Sequence, residues 1–239
     1  MILIGQFDSP FVRRVGIALD IYGLPYEHRT WSTFGDADRL ASFNPLRRVP
    51  TLVPDDGEPL IDSVTILDWL DEIVGPERAL IAQHGPGRRA ALKVCALATG
   101  LADKAVSLLY ERIPHEETSQ IWVDRCLTQI ADVLNALEAD RATRPGAYWF
   151  GEKIGHADIA VACTIRFTRE AHPGLFDPLR WTALEAHAAR CEGLERFRHI
   201  VQPLNTCGVG GRATDLARVP RWAAARGGLA RLSASSSSR

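Results

Sequence analysis

The feature that most restricts the fold is a change of pattern at Gly85-Pro86-Gly87. Ahead of it, strand-like and helix-like segments alternate. Ile2 to Gly5, Glu27 to Thr30, Thr51 to Val53 and Leu60 to Ile61 read as short strands. Phe11, Val15, Ala18 and Tyr22 recur at helical spacing up to Gly23, and Ile66, Leu67, Leu70, Ile73 and Val74 share one face of a helix closed by Gly75-Pro76. Asp36 to Phe43 reads as a short irregular helix ending at Asn44-Pro45. This is an α/β layout. Three breakers in a row continue neither helix nor strand, so 77–87 is expected to be a linker. Beyond it only helical periods occur, at about Arg88 to Ile113, Glu117 to Arg141, His156 to His172, Pro178 to Arg190 and Leu194 to Val201. The expected organisation is an α/β domain over 1–76, an all-helical domain over 88–204, and a tail over 205–239.

Composition excludes several functions. With 46% hydrophobic and 24% charged residues the chain reads as an ordinary globular protein. Its net charge of -1 supplies no field for nucleic acid or an anionic membrane, so neither partner is expected. No apolar run approaches the ~20 residues of a membrane span, and no signal-like segment opens the chain, so a cytoplasmic location is expected. Cys95, Cys126, Cys163, Cys191 and Cys207 form no C-x-x-C pair and read as buried apolar residues. The seven histidines form no close ligand pair, and no metal is expected. Gly208-Val209-Gly210-Gly211 lacks the strand and lysine of a phosphate loop. From Asn205 the tail is rich in Gly, Ala and Ser, with six arginines against one aspartate, and is expected to be solvated.

Three pieces of the first half carry candidate chemistry. Ser9-Pro10 follows the first strand and opens the first helix, with Ser as N-cap and Pro at N1. A helix start gathers free N–H groups and the positive end of the dipole, a natural holder for an anion such as a thiolate. Val49-Pro50 precedes a strand, and a cis bond there would turn the backbone of Val49 toward a ligand. Asp62-Ser63 offers a carboxylate for an ammonium group, and a hydroxyl with helix-start N–H groups for a carboxylate; the pair suits an α-amino acid head. Taken alone, a Ser-Pro pair is usually just a helix cap. In the second half, Gly155 to Cys163 is apolar on most faces and reads as a central helix, with Asp158 reaching back to the N–H of Gly155 as a structural cap.

In their order and spacing, S-P-F-V-R-R-V, N-P-L-R-R-V-P-T-L and L-I-D-S-V-T-I-L-D-W-L closely resemble the cytosolic glutathione S-transferases, most of all bacterial members with a serine at the catalytic position. The resemblance runs from Met1 to about Leu204 and includes Gly151 and Ala157-Asp158. It implies a thioredoxin-like N-terminal domain that binds glutathione, an all-α C-terminal domain that shapes a co-substrate pocket, and a homodimer. By resemblance, Ser9 would hydrogen-bond the glutathione sulfur, and Val49 would pair with the cysteinyl backbone beside cis-Pro50. Asp62 and Ser63 would hold the γ-glutamyl end, Arg48 would sit near the glycine carboxylate, and Phe11 would line the co-substrate side. Two positions depart from the family: Arg47-Arg48 stands where Gly-Lys is common, and Asp62 replaces the more frequent Glu.

The implied function is transfer of glutathione to small electrophiles, a detoxifying activity, or related peroxidase, dehalogenase or isomerase chemistry without a metal. A non-catalytic glutathione-binding or interaction module on the same fold is the alternative. A serine hydrolase fits less well, since no G-x-S-x-G elbow surrounds Ser9. Leu101, Lys104 and Leu108 are candidates for the co-substrate pocket, although these mostly apolar positions read first as core.

Overall fold

The structure, a computed structural model, describes residues 1–113 and 117–204. The tail from Asn205, with Cys207, lies outside the described residues. Strand β1 (Ile2–Ile4) leads into helix α1 (Pro10–Tyr22), and β2 (Glu27–Arg29) returns parallel to β1. After the short α2 (Ala37–Ala41) come β3 (Thr51–Val53), β4 (Leu60–Ile61) and α3 (Ser63–Val74). The sheet order is β2-β1-β3-β4, with β3 antiparallel to both neighbours. Helices α1 and α3 cover it, burying Val15, Ala18, Tyr22, Ile66, Leu67 and Leu70 against Leu3 and Leu52. Two expected core positions face elsewhere: Phe11 lines a cleft, and Ile73 is 46% exposed while Asp71 is buried.

The remaining chain is helical: α4 (Gly85–Arg112), α5 (Gln120–Ala142), α6 (His156–Ala171), α7 (Thr182–Glu192) and α8 (Glu195–His199). The expected linker is shorter than the breakers suggest, because α4 takes in Gly85-Pro86-Gly87 as its first turn. Proline is tolerated there since an N–H in the first turn has no intrahelical partner to lose. Helix α6 is the centre, with every residue from His156 to Ile165 buried. Asp158 accepts from the backbone N–H groups of Gly155 (2.8 Å) and Trp149 (2.7 Å), so its work is structural. Among the described residues no helix is long and apolar enough to cross a membrane, and no group of three His, Cys, Asp or Glu is placed to hold a metal ion.

Buried polar groups join the two halves. Arg13 of α1 forms a two-pronged ion pair with Glu192 (2.5 and 2.8 Å) and donates to the carbonyls of Phe197 and Ile200. Asp71 of α3 accepts from the hydroxyl of Tyr22, the N–H of Leu80 and Nε2 of His156. Burial holds His156 neutral, and these donors outweigh burial at Asp71 and keep it ionised. The seam is thus fixed by named partners, which makes a site built across it geometrically defined.

Candidate active site

Strand register brings three separated stretches to one end of the sheet. Ile4 pairs with Thr51, and Thr51 pairs with Ile61. The residues just beyond those pairs, the β1–α1 corner, Val49-Pro50 and Asp62-Ser63, therefore meet. The corner is tight: Gly5 has φ +132°, and a Cβ there would lie 2.5 Å from Val12 Cγ2 and 2.8 Å from Val49 Cβ. Only glycine fits both that backbone and that space.

Each expected residue takes a definite place. Ser9 is the N-cap of α1, with extended backbone, and its Oγ accepts from the N–H of Val12 at 3.4 Å. Accepting that bond leaves the hydroxyl proton free to donate outward. The Val49-Pro50 bond is cis, as expected. The loop before it is held by buried Asn44, whose Nδ2 donates to the carbonyl of Arg48 (3.0 Å) and to Thr51 Oγ1 (3.2 Å). Asp62 caps α3 with φ 72°, its Oδ1 accepting from the N–H of Val64 at 2.8 Å. One helix-start N–H read from sequence as free is therefore already satisfied by Asp62. Ser63 is buried behind it. The side chain of Arg48 is exposed and lies 3.6 Å from Asp103 of α4.

Two hollows meet here. One, of about 330 Å³, is lined by Val49, Pro50, Asp62 and Ser63 on one side and by Ala96, Thr99 and Asp103 of α4 on the other. The second, of about 190 Å³, is lined by Ser9 together with Phe34, Leu109, Tyr110, Phe167 and Leu204. Phe11, Arg48 and Val49 line both, so the hollows are two arms of one cleft.

The apolar arm was poorly anticipated. Leu101 and Leu108 are buried in the helical core, and Lys104 lies over the ring of Trp122 instead of lining the cleft. The lining face of α4 is Val106, Leu109 and Tyr110. The face bearing Leu101, Ala105 and Leu108 is taken by packing within the helical half. Phe34 meets Tyr110 edge-on with centroids 5.0 Å apart, and Thr33 Oγ1 lies 3.3 Å from the Tyr110 hydroxyl. An aromatic residue in the polar 32–36 loop was the available signal for Phe34. Asn44 gave none beyond its place before a proline. The four described cysteines are buried, and burial pushes Cys163 up to about 11, so they supply no thiolate nucleophile at neutral pH.

The sequence model described as Glutathione S-transferase, N-terminal domain, matches residues 3–78, and that described as Glutathione S-transferase, C-terminal domain, matches residues 120–190. The chain belongs to the glutathione S-transferase family. Its architecture is that of the family: a small thioredoxin-like unit followed by helices. Among similar proteins, the uncharacterized GST-like protein YibF of Escherichia coli is 28% identical over 177 residues, 73% of this chain and 86% of that one. A glutathione S-transferase of Methylobacterium radiotolerans, solved with glutathione sulfonate, superposes with a TM-score of 0.79 at 28% identity, covering 86% of this chain and 96% of that one. One from Methylobacillus flagellatus, solved with glutathione bound, gives 0.76 at 26% identity, covering 83% and 98%.

Proposed function

We propose that this transferase-family chain is a glutathione transferase of the serine type, setting a glutathione thiolate against small apolar electrophiles. The observation that carries the reading is the shared cleft, whose polar arm carries Val49, Pro50, Asp62 and Ser63 and whose apolar arm carries Ser9. In this reading the peptide lies in the polar arm, with Asp62 and Ser63 at the γ-glutamyl head, Val49 beside the cysteinyl backbone and Arg48 toward the glycine carboxylate. Ser9 then donates its hydroxyl proton to the sulfur. A hydrogen bond to the anion and the positive end of α1 both lower the thiol pKa, so more thiolate is present at neutral pH. Ser9 is the orienting donor and glutathione the nucleophile. Phe11, Phe34, Tyr110 and Phe167 supply aromatic surface for the electrophile.

A homodimer accompanies this reading. Val64 of α3 and Leu92 of α4 are exposed apolar side chains on two elements that also line the polar arm, and sedimentation is expected to give twice the chain mass of 26.3 kDa. The functional test is a glutathione titration followed at the thiolate absorbance, then a panel of electrophiles. Thiolate formation near neutral pH with turnover on at least one electrophile is expected. Binding with neither thiolate nor turnover would leave a glutathione-binding module in its place.

A further inference from the structure

The stretch beyond α8 is packed on the turn that carries Ser9. Residues 201–204 run without helix or strand, Val201 and Pro203 exposed, Gln202 and Leu204 half-buried, the alternation of an extended chain. Pro203 disfavours a helical backbone at Gln202. The start of the stretch is fixed to α1, where Arg13 donates from Nε to the carbonyl of Ile200 at 2.8 Å. Two residues on, Oε1 of Gln202 accepts from the backbone N–H of Phe7 at 3.2 Å. Phe7 lies in the turn over 6–9, closed by the N–H of Ser9 donating to the carbonyl of Gln6 at 3.1 Å. The Phe7 ring stacks on His28 with centroids 4.0 Å apart, and Nε2 of His28 donates to the carbonyl of Gly5 at 2.7 Å. A Cβ on Gly16 of α1 would lie 2.6 Å from Phe7 Cε1 and 3.0 Å from Ile200 Cγ2, so glycine there lets the turn and the stretch meet on one face of the helix. Leu204 then joins Gln6, Asp8 and Ser9 in lining the apolar arm.

Resting on the glutathione reading of the cleft, we infer that Gln202 is a positioning residue for Ser9, acting through the peptide unit between Gln6 and Phe7. That unit is planar, so fixing one end fixes the other. Its N–H donates to Gln202 and its carbonyl accepts from the N–H of Ser9. The Ser9 side chain has only a long bond of its own, 3.4 Å from the N–H of Val12, so the turn leading into it decides where the hydroxyl sits. A donor to an anion has to be held within about 0.5 Å of its productive place. The donor to the glutathione sulfur is therefore set from the end of the helical half, by a side chain two residues from Leu204 in the wall of the electrophile arm.

The test is a thiolate titration with turnover on the full chain, for wild type, Gln202→Met, Ser9→Ala and the double variant. Gln202→Met keeps the length of the side chain and removes the amide acceptor. It is expected to raise the thiol pKa of bound glutathione and to lower turnover at neutral pH by about 2- to 12-fold, the scale of one neutral hydrogen bond. The glutathione dissociation constant should stay within about twofold, because Val49, Asp62 and Ser63 are untouched. In the Ser9→Ala background the same change is expected to leave the thiol pKa unmoved, since a residue that acts through Ser9 has nothing left to act on. Equal shifts in both backgrounds, or none in either, would overturn the inference while leaving the glutathione site intact. A loss of affinity as large as the loss of turnover would do the same, making Gln202 a general support of the cleft. A wild type that binds glutathione without forming thiolate overturns both readings. Should Gln202→Met not fold, Gln202→Leu also lacks the acceptor and is expected to give the same pattern; a wild-type thiol pKa in that variant overturns the assignment.

Discussion

The two arms of the cleft are built by different means. The polar arm has one wall made where the chain leaves or enters a strand, from cis-Pro50, the cap of α3 and the loop tied by Asn44. That wall follows from sheet register, and Ala96, Thr99 and Asp103 of α4 stand opposite it. The apolar arm is made from side chains that distant helices happen to present, Tyr110 from α4 and Phe167 from α6, with Phe34 from a loop. On the proposed reading the first arm takes one invariant peptide, and the second is free to vary with the electrophile. If the difference is real, substitutions should separate affinity for glutathione from chemistry and from choice of electrophile.

The largest effect is expected at Ser9. In the proposed reading Ser9→Ala removes the donor to sulfur while Val49, Asp62 and Ser63 still hold the peptide. Turnover at neutral pH should fall by ~10- to 1,000-fold, as for loss of one donor to an anion, with glutathione affinity nearly unchanged. The thiol pKa of bound glutathione should rise, visible as loss of thiolate absorbance. A large rise in the glutathione dissociation constant with unaltered thiolate absorbance would place Ser9 in binding and blur the distinction between the arms.

Next in size is an acid sensitivity of the helices behind the apolar arm. His172 donates from Nε2 to the carbonyl of Ala105 (2.8 Å), while its Nδ1 faces Arg112 at 3.4 Å. His187 has Arg141 3.3 Å from its Nδ1. Burial foremost pushes both down to about 4, with the facing arginine adding to the effect. Each is neutral in the folded chain but takes up a proton near pH 6.5 when unfolded. Their stabilisation is therefore complete above about pH 6.5 and is lost as pH falls toward 4, by about 2 kcal/mol per histidine between pH 7 and 5. Urea unfolding at the two pH values measures it, and His172→Gln should flatten the dependence. An unchanged slope in that variant would remove His172 from the account.

On the polar arm, Asp62→Ala should weaken glutathione by about 10-fold, the scale of a hydrogen bond to a charged group, and leave the pKa of the bound thiol unmoved. Loss of the α3 cap should also cost about 1 kcal/mol of stability, which denaturant midpoints separate from binding.

Legibility in the sequence follows the same division. Ser9, Val49-Pro50 and Asp62-Ser63 could be read because caps and a proline before a strand are local rules, and register then had only one way to join them. The helical half was readable as helices, but the α4 face that meets the cleft was not. Leu101, Ala105, Leu108 and Leu109 repeat around the helix, and apolar periodicity does not tell which stripe packs on α6 and which looks across at the β2–α2 loop. The seam from Tyr22 to Asp71 and His156 was invisible as well, since its members lie far apart in sequence and two sit on helices whose pattern marks them only as interruptions.

The smallest effect is expected from Phe34, and it probes the freedom assigned to the apolar arm. Phe34 is 45% exposed and touches Tyr110 edge-on, so removing it costs the fold little. An edge-to-face aromatic contact contributes about 0.5–1.5 kcal/mol beyond area burial. A planar aromatic electrophile lying between Phe34 and Tyr110 would lose a contact of that order in Phe34→Ala, raising its KM by about 2- to 12-fold. An aliphatic electrophile, which makes no such contact, should lose less. The glutathione KM should stay within about twofold in either case, because Phe34 lines only the smaller hollow. The ratio of aromatic to aliphatic kcat/KM therefore reads the wall directly, independent of overall activity. A uniform fall across both electrophiles and glutathione would mean that the 32–36 loop shapes the whole cleft, and that the two arms are a single coupled unit.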